Sequence, residues 1–306
     1  MGQDSAKPEH RAGFVVILGR PNAGKSTLLN ALVGAKLAIV ASKPQTTRTS
    51  IQGVVTLPEA QIIFVDTPGI HKSGTLLNRR MMDEVRSAAA GPDLALFVVD
   101  ALAPASEEDA QALDLLVKTG LPAVAVFNKI NQLRDKPKLL ALIERYRAMH
   151  EFAAYVPISA LSGDGVDALR REIIARLPPS PALYPADYLT DQPQRFLAAE
   201  ILREKILQFT TEEVPHAVAV TIESWEESAK LIRIHATIYV ERPGQKAILI
   251  GSNGSALKRI GTQARKDLEE SLGRKVFLQT FVKVQPNWRQ DPAFIASTGW
   301  RGSQGL

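Results

Sequence analysis

The eight residues Gly19–Ser26 read GRPNAGKS, and they fit the pattern G-x-x-x-x-G-K-[ST]. The apolar run Phe14–Leu18 precedes this stretch and a helical pattern, Ser26–Val33, follows it. At such a strand–loop–helix junction the glycines let successive backbone N–H groups curl around an anion, and the helix N-terminus adds a favourable dipole. The stretch therefore predicts a phosphate-binding loop in which Lys25 reaches the terminal phosphates and the Ser26 hydroxyl holds Mg²⁺.

Strand and helix patterns alternate from Gly13 to Leu177. Several strand candidates are continuous apolar runs, as expected for strands that are buried on both faces of a mainly parallel sheet. Ser106, which precedes three acidic residues, marks the start of a helix, and Gly120 marks its end. The alternation predicts a three-layer α/β domain. The expected strands are Phe14–Leu18, Ile51–Leu57, Gln61–Asp66, Leu94–Asp100, Ala123–Asn128 and Tyr155–Ile158.

The four residues Asp66-Thr67-Pro68-Gly69 end the strand candidate at Gln61–Asp66, and ligands of such sheets bind beyond the carboxyl ends of the strands. A carboxylate at Asp66 can hold Mg²⁺ through a water, opposite Ser26. The Gly69 N–H can approach a γ-phosphate without obstruction by a side chain. By itself D-T-P-G is an ordinary turn sequence, so the prediction rests on its position after the phosphate loop.

A polar, loop-like segment, residues 42–49 with the sequence SKPQTTRT, lies between these two motifs. A threonine hydroxyl from such a segment would complete the Mg²⁺ shell only while a triphosphate is bound, which would make the segment an order–disorder switch. We expect Thr47 to be this ligand, with Thr46 as the second choice. A threonine-rich surface loop without this role is the alternative.

Two further motifs end the next strands, namely Asn128-Lys129-Ile130-Asn131 and Ser159-Ala160-Leu161. In this order, the phosphate loop, switch threonine, DTPG, NKxD-like and SAL motifs resemble those of the small translation-type GTPases. The resemblance implies that Asn128 braces the base loop, Lys129 covers the base plane and the Ala160 N–H meets guanine O6. It also implies catalytic roles for Lys25, Thr47 and Gly69. The nucleotide contacts that we expect are Gly19, Asn22, Ala23, Gly24, Lys25, Ser26, Thr27, Asp66, Thr67, Pro68, Gly69, Asn128, Lys129, Asn131, Ser159, Ala160 and Leu161, with Mg²⁺ on Ser26, Thr47 and Asp66.

Asn131 departs from the GTPase pattern, which has an aspartate here that accepts two hydrogen bonds from guanine. An amide presents a donor NH₂ where a carboxylate presents its second acceptor. Because hydrogen bonds to charged groups are worth roughly 1.5–3 kcal/mol, we hypothesise weaker GTP binding and a relaxed selectivity toward xanthosine triphosphate. Natural variation offset by nearby groups, or an engineered change, are the alternatives.

Ile70, directly after DTPG, is a second departure, because many GTPases place a water-orienting glutamine near this position. A hydrocarbon side chain cannot orient water by hydrogen bonding, so hydrolysis would depend on other groups or on a partner. GTPases with this substitution and an asparagine at the position of Asn22 include members that use K⁺ as a charge stabiliser. The resemblance thus implies K⁺ at Asn22, ahead of Arg48 as an arginine finger.

The proline-rich stretch Leu177–Pro181 is a sharp break in composition, because prolines remove hydrogen-bond donors and resist helix. The patterns after it predict the order α-β-β-α-α-β, with the first two strands paired as a hairpin. The expected elements are a helix from Gln194 to about Phe209, strands Ala217–Trp225 and Leu231–Glu241, helices near Gln245–Ile250 and Ser255–Ser271, and a strand Val276–Val284.

The tetrapeptide Gly251–Gly254 lies between two of these helices. Within this element order it resembles the GXXG loop of a bacterial, type II KH domain, an α+β fold whose loop clamps a nucleic-acid backbone. A packing element of helix-turn-helix type is the alternative. The expected RNA contacts are Gly251, Ser252, Asn253, Gly254, Lys258, Arg259, Arg265 and Lys266. Phe281 and Trp288 would either stack on bases or pack in the fold.

Charge is distributed unevenly along the chain, whose 37 basic and 32 acidic residues give a net charge of +5. Residues 242–289 hold ten basic and three acidic residues, a net of +7, which favours an anionic partner such as nucleic acid or a membrane surface. A solubilising surface is the alternative. No run approaches the ~18 apolar residues of a transmembrane helix. The polar start and the absence of cysteine lead us to expect a cytoplasmic protein.

The whole chain is predicted to hold two domains, and the expected limits are a polar N-terminal tail at 1–12, a GTPase domain at 13–178, a linker at 179–193, a KH domain at 194–285 and a C-terminal tail at 286–306. This combination, with QRFLAAEILREK at Gln194–Lys205, resembles the Era-like small GTPase family over nearly the full length. The resemblance implies a monomeric, Mg²⁺-dependent GTPase that binds 16S ribosomal RNA of the 30S subunit and assists its assembly, with peripheral association at the inner face of the cell membrane.

Two other classes of function remain at this point. A metabolic kinase or ATPase could use the same phosphate loop, although the NKxD-like and SAL motifs argue against it. An RNA-binding assembly factor could carry a nucleotide site that is weakened by Asn131 and turns over little. Competition between nucleotides distinguishes the first class from a GTPase, and multiple-turnover phosphate release distinguishes the second.

Overall fold

The computed structural model describes residues 9–43, 46–69, 75–211 and 213–298, and it divides into two units. Of the described residues, the first unit holds 9–37, 50–69 and 83–191. The second unit holds 38–43, 46–49, 75–82, 192–211 and 213–298. Two short segments of the N-terminal half therefore belong to the second unit, and one of them is the predicted switch segment.

A six-stranded sheet forms the centre of the first unit, with the strand order β2-β3-β1-β4-β5-β6. Its strands are parallel except for β2, which runs antiparallel to β3, so the predicted α/β fold with a mainly parallel sheet is confirmed. The strands are β1 (Arg11–Leu18), β2 (Ile51–Thr56), β3 (Ala60–Asp66), β4 (Leu94–Asp100), β5 (Ala123–Asn128) and β6 (Ala154–Pro157).

Helices flank this sheet, and the local sequence explains where they begin and end. The third helix starts at a capping box, in which the Ser106 hydroxyl accepts from the Asp109 N–H and the Asp109 carboxylate accepts from the Ser106 N–H. It ends at Gly120, which is left-handed with φ 67°. The helices of the first unit are α1 (Lys25–Val33), α3 (Glu107–Thr119), α4 (Lys136–Met149) and α5 (Val166–Arg176). A further helix, α2 (Leu76–Ala88), begins in the second unit and ends in the first.

A three-stranded sheet, β7-β8-β9, and its helices form the second unit. The β7–β8 pair is antiparallel and the β8–β9 pair is parallel, as expected for the predicted type II KH fold. The elements are α6 (Gln194–Phe209), β7 (Ala219–Glu227), β8 (Leu231–Val240), α7 (Pro243–Ile250), α8 (Ser255–Leu272), β9 (Lys275–Val284) and α9 (Pro292–Ser297). The predicted order α-β-β-α-α-β is confirmed.

The core of the second unit lies between its helices and one face of its sheet. Ile206, Ile238 and Ile260, from α6, β8 and α8, are almost completely buried there, and Ile39, which precedes the switch segment, belongs to the same cluster. Trp288 is also buried, and its indole Nε1 donates to the Ala217 carbonyl at 2.8 Å. Of the two alternatives for Trp288, packing is therefore confirmed.

Within the described ranges, none of the helices combines the length and the apolar character that crossing a bilayer would require.

Candidate functional site

The predicted phosphate loop connects β1 to α1, and its glycines are required by close approach. Gly19 has φ 145°, and a Cβ there would lie 2.4 Å from the Val98 carbonyl oxygen. Gly24 has φ 96°, and a Cβ there would lie 2.2 Å from Asn128 Nδ2. Since both conformations disfavour any residue with a Cβ, glycine lets this loop lie directly against the ends of β4 and β5.

Lys25 lies at the centre of this loop and is only 6% exposed. Its Nζ donates to the carbonyls of Gly19, at 3.0 Å, and Arg20, at 2.9 Å. Burial lowers the pKa of Lys25 from 10.5 to about 8, and the carboxylates of Asp66 and Asp109 partly offset this effect. The ammonium thus donates to neutral carbonyls, and a phosphate would supply an opposite charge at this position.

The pair of Ser26 and Asp66 joins the start of α1 to the end of β3. The Ser26 hydroxyl donates to Asp66 Oδ2 at 2.7 Å, and Asp66 is fully buried. A hydroxyl and a carboxylate are hard oxygen donors of the kind that Mg²⁺ prefers, and one or two such groups plus substrate phosphates are its usual protein site. The donor chemistry of this pair therefore fits a magnesium ion.

The residues after Asp66 are held against β1 and the phosphate loop. The Thr67 hydroxyl donates to the Ile17 carbonyl at 2.8 Å, and both Thr67 and Pro68 are buried. A Cβ on Gly69 would lie 2.8 Å from Pro21 Cα. The DTPG segment and the phosphate loop are thus packed together, as the expected pair of phosphate-contacting segments must be.

Asn128 connects three loops at the end of β5. Its Nδ2 donates to the Ala23 carbonyl at 3.0 Å, while its Oδ1 accepts from the backbone N–H groups of Lys129, at 2.8 Å, and Ala160, at 3.0 Å. Both its donor and its acceptor side are used in a buried position. These hydrogen bonds connect the base loop, which the resemblance expects Asn128 to brace, to the phosphate loop as well.

Lys129 reaches back from the base loop to the phosphate loop. Its Nζ donates to the Asn22 carbonyl and to Asp100 Oδ2, both at 2.7 Å. Arg20 also approaches this network, 3.7 Å from the Asp100 carboxylate and 3.4 Å from that of Asp109. Sequence reasoning did not identify Arg20, Asp100 or Asp109. The position of Asp100 at the end of buried β4, equivalent to that of Asp66 on β3, was the available signal.

The remaining base-loop residues differ in exposure. Asn131 lies in a 3₁₀ turn, Ile130–Gln132, and is exposed. Leu161 is 76% exposed, whereas Ser159 is fully buried and its hydroxyl accepts from the Ser162 N–H at 3.2 Å. The side chain of Asn131 is therefore exposed to solvent, and the Ser159 hydroxyl stabilises its own turn.

The switch threonines belong to the second unit. Thr47 is buried, and the Thr46 hydroxyl donates to the Lys43 carbonyl at 2.6 Å. Arg48, which we considered as an arginine finger but placed behind K⁺ at Asn22, is also buried in the second unit. It donates there to the Val218 carbonyl at 2.7 Å. Ile70 lies outside the described residues.

The GXXG segment joins α7 to α8 through three residues of positive φ. Gly251 and Gly254 have φ of 71° and 77°, and Asn253 also has a positive φ, 50°. A Cβ on Gly251 would lie 2.7 Å from Ala256 Cβ, so this position requires glycine. The expected RNA-contacting side chains of the following helix are all exposed; they are Lys258, Arg259, Arg265 and Lys266.

Arg259 is partly engaged within the fold. Its guanidinium lies over the ring of Phe209, 4.4 Å from the centroid, which is the geometry of a cation–π contact. The positive charge next to the GXXG segment is therefore positioned by α6 as well as by α8.

Family models match both parts of the chain. One, described as a 50S ribosome-binding GTPase, covers residues 14–129, and a KH domain model covers residues 213–289. The chain is similar to the GTPase Era of Geotalea uraniireducens, with 46% identity over 95% of this chain and 98% of the relative. It is also similar to the GTPase Era of Stenotrophomonas maltophilia, with 44% identity over 97% of this chain and 99% of the relative.

Two solved structures share the fold over nearly the whole chain. A single-residue variant of Aquifex aeolicus Era bound to GDP·AlF₄⁻ has 39% identity and a TM-score of 0.91, covering 94% of this chain and 99% of that one. An Era in complex with MgGDPNP and nucleotides 1506–1542 of 16S ribosomal RNA has 40% identity and a TM-score of 0.92, covering 95% and 99%. With this identity over almost the full length of its relatives, the chain belongs to the GTPase Era family.

Proposed function

We propose that the chain is a Mg²⁺-dependent GTPase that binds 16S ribosomal RNA through its KH domain and assists assembly of the 30S subunit. The observation that carries the proposal is the arrangement around Asn128, which fastens the phosphate loop to the base loop at the same sheet edge as Ser26 and Asp66. Supporting it are the bound nucleotide and RNA of the related Era structure. The limits 13–178 and 194–285 for the two domains are part of the proposal.

Within this proposal the chain's own groups position and stabilise the triphosphate. Lys25 donates to the terminal phosphates, and the Gly69 N–H contacts the γ-phosphate without a side chain in between. Ser26, Asp66 and Thr47 would hold Mg²⁺, which would neutralise charge on the phosphate oxygens. Asn131 and the Ala160 N–H contact the base.

The switch role of Thr47 is supported by the contacts of its segment. In the second unit, the Val40 N–H donates to Glu204 Oε1 at 2.8 Å, and Arg203 donates to the Thr46 carbonyl. We propose that binding of triphosphate competes with these contacts, because a Thr47 hydroxyl that ligates the metal must be accessible to it, whereas Thr47 is buried within the second unit. The bound nucleotide would then change the contacts of the KH domain, because the switch segment serves the nucleotide site in one state and packs on the KH domain in the other.

Four finer points are supported by the family resemblance alone. They are a K⁺ ion on Asn22, a monomeric state, a location in the cytoplasm, and peripheral association with the inner face of the cell membrane. Each is a proposal that stands apart from the GTPase activity.

Phosphate release by the purified full chain tests the proposal. We expect repeated turnover of GTP with Mg²⁺, loss of turnover with EDTA, and binding of an RNA that spans nucleotides 1506–1542 of 16S ribosomal RNA. Asp66→Asn, which removes the carboxylate and keeps its size, should lose turnover while RNA binding remains. Absence of GTP turnover with and without this RNA would refute the enzymatic part.

An RNA-binding assembly factor with little turnover is the second candidate, and the exposed amide of Asn131 favours it. It predicts RNA binding with a single slow turnover and weak discrimination among GTP, xanthosine triphosphate and ATP. The same phosphate-release measurement, run with each nucleotide in turn, separates the two candidates.

A further inference from the structure

The face of the KH sheet that points away from α6 and α8 carries two exposed aromatic rings on β9. Phe277 and Phe281 are 49% and 51% exposed, although neighbouring Val276 and Val282 are buried against the helices. Because strand residues alternate between faces, the two rings lie on one face, about 13 Å apart at 3.3 Å per residue. Exposed phenylalanine on an edge strand is a liability for aggregation, so a binding role accounts for it better than packing does.

Basic side chains flank these rings. Lys275 and Lys283 lie at the two ends of β9 and are exposed. The Lys275 Nζ lies 3.5 Å from Glu269 Oε2 of α8, and Lys283 lies within electrostatic reach of Glu223 of β7. Arg233 of β8 pairs in register with Phe277 and is also exposed. The strand itself contains no acidic residue. The carboxylates of this sheet lie on β7, where Glu226 pairs in register with Arg233. Cations and aromatic rings alternate along β9, and an RNA phosphate would take the place of the carboxylates that now face these cations.

His235 adds a polar aromatic group beside the first ring. It lies on the same face of β8, and its ring contacts Phe277 edge-on, with centroids 6.5 Å apart. Thr237 pairs in register with Phe281. The face is covered on β8 beside Lys283, since Tyr239, the register partner of Lys283, packs edge-on against Phe294 of α9 with centroids 4.9 Å apart. The open part of the face is therefore the strip formed by Lys275, Phe277, Phe281 and Lys283, with His235 at its side; we call it the β9 strip.

We propose that the β9 strip binds single-stranded RNA, with bases stacked on Phe277 and Phe281 and phosphates on Lys275 and Lys283. Alternating rings and cations are what an extended single strand requires, since every base has a π-face and every linkage a negative charge. The inference rests on the proposed RNA binding at GXXG and extends it. A GXXG loop clamps about four nucleotides, and the strip would hold flanking nucleotides of the same strand.

Two lengths of RNA test the proposal on the full chain. One probe is a tetranucleotide that can occupy only the GXXG loop, and the other is a single-stranded 12-mer, both taken from nucleotides 1506–1542 of 16S ribosomal RNA. The variant Phe277→Leu/Phe281→Leu keeps apolar side chains at both positions and removes the aromatic faces on which bases would stack. We expect the affinity for the 12-mer to fall about tenfold or more, because each stacked base contributes measurably, and the affinity for the tetranucleotide to stay unchanged.

Two further variants keep this result interpretable. Lys275→Gln/Lys283→Gln should lower the salt dependence of 12-mer binding by about 0.7 in log–log slope for each phosphate that the variant no longer neutralises. Leu140→Ala, at a 66% exposed apolar position on α4, is the control that should change neither affinity. Gly254→Asp, which disables the GXXG loop, should weaken the binding of both RNAs.

Several results would overturn the inference. Equal 12-mer affinity of wild type and the phenylalanine variant would reject the β9 strip and leave the proposed function intact. If the wild type bound neither RNA, both the β9 strip and the proposed RNA binding would be rejected. If the phenylalanine variant instead lost binding to anionic phospholipid vesicles, or lost self-association in light scattering, with 12-mer affinity unchanged, the strip would be a membrane or dimer surface.

Discussion

The guanidinium of Arg48 lies over the indole ring of Trp288, 5.6 Å from the ring centroid. Arg48 is also 4% exposed and donates to the carbonyls of Val218 and Pro215. A planar guanidinium that is both stacked and hydrogen-bonded is strongly positioned. The residue next to Thr47 is thus fastened within the second unit by a ring contact on one face of its guanidinium and by hydrogen bonds at the guanidinium edge, and the switch segment cannot leave without breaking them.

Arg48→Ala is expected to release this segment and to shift the preference of the protein toward triphosphate. If Thr47 serves the metal only with a bound triphosphate, as proposed, removal of a competing contact should raise the affinity for GDPNP about fivefold or more and leave the affinity for GDP unchanged. Titration with both nucleotides measures the ratio. Arg48→Lys, which keeps the charge and loses the stacked plane, should give an intermediate ratio. An unaltered ratio in Arg48→Ala would show that the contact does not oppose GTP binding.

The fold was predictable because buried strands leave a strong pattern. The runs at Leu94–Asp100 and Ala123–Asn128 are apolar throughout, apart from their last residues, and the observed β4 and β5 have the same limits. The alternating run from Leu231 likewise predicted β8. The position of the switch segment was not predictable, because Arg48 is recognised by Val218, 170 residues away, through backbone carbonyls that leave no trace in composition.

The candidate site was predictable where a motif has fixed spacing and not where one side chain acts alone. The phosphate loop and DTPG were found from their spacing, and the packing of Gly69 on Pro21 agrees with it. Asp100 has no such neighbours in sequence, so its ion pair with Lys129 appears only in three dimensions. Trp288 was ambiguous for the same reason, because its polar sequence neighbours concealed a buried ring.

Asn131→Asp is expected to restore the charged acceptor that guanine recognition uses. Because the residue is exposed, the change should not disturb folding. A hydrogen bond to a charged group contributes roughly 1.5–3 kcal/mol, so GTP affinity should rise about tenfold or more while affinity for xanthosine triphosphate falls. Competition among GTP, xanthosine triphosphate and ATP measures both effects. Tight GTP preference in the wild type, unchanged by the substitution, would refute the role given to Asn131.

K⁺ should stimulate hydrolysis more than Na⁺ does if Asn22 supplies a ligand to the ion. Asn22 has φ 61°, so Asn22→Ala would combine loss of the amide with backbone strain. Asn22→Gly removes the amide and tolerates this conformation. We expect both variants to lose the difference in kcat between K⁺ and Na⁺. Stimulation that survives in Asn22→Gly would remove Asn22 from the site.

Replacement of Lys258 and replacement of Arg259 should differ in their effect on the free energy of unfolding. Lys258→Gln should weaken RNA binding, and lower its salt dependence by about 0.7 in log–log slope, without a change in stability. Arg259→Gln should do the same and also lower the free energy of unfolding by about 0.5–1 kcal/mol, because a neutral amide cannot replace the cation over the Phe209 ring. Arg147→Gln, an exposed charge on α4, is the matched control. Salt slopes identical to wild type would reject both phosphate contacts.

The affinity for GDP should fall with pH above about 8, because of Lys25. Burial lowers the pKa of this group from 10.5 to about 8, so the nucleotide-free protein loses the proton there. A bound β-phosphate favours the charged form and raises the pKa again. Affinity should therefore decrease about fivefold between pH 8 and 9 and approach a tenfold decrease per pH unit above that, with proton uptake visible in calorimetry with buffers of different ionisation enthalpy. GMP, which lacks the β-phosphate, should show a flat profile.

Lys25→Arg provides the control for this pH dependence, because its side chain stays charged throughout the range. Binding should be weaker and independent of pH. The same shift has a consequence for stability with a definite sign. Between about pH 8 and 10.5 the unfolded chain binds more protons at this group than the folded chain does, so the contribution of Lys25 to the free energy of unfolding rises with pH. Nucleotide-free wild type should show this rise relative to Lys25→Arg in urea unfolding, and saturating GDP should abolish it; a contribution that falls with pH would mean that Lys25 is not desolvated in the free protein.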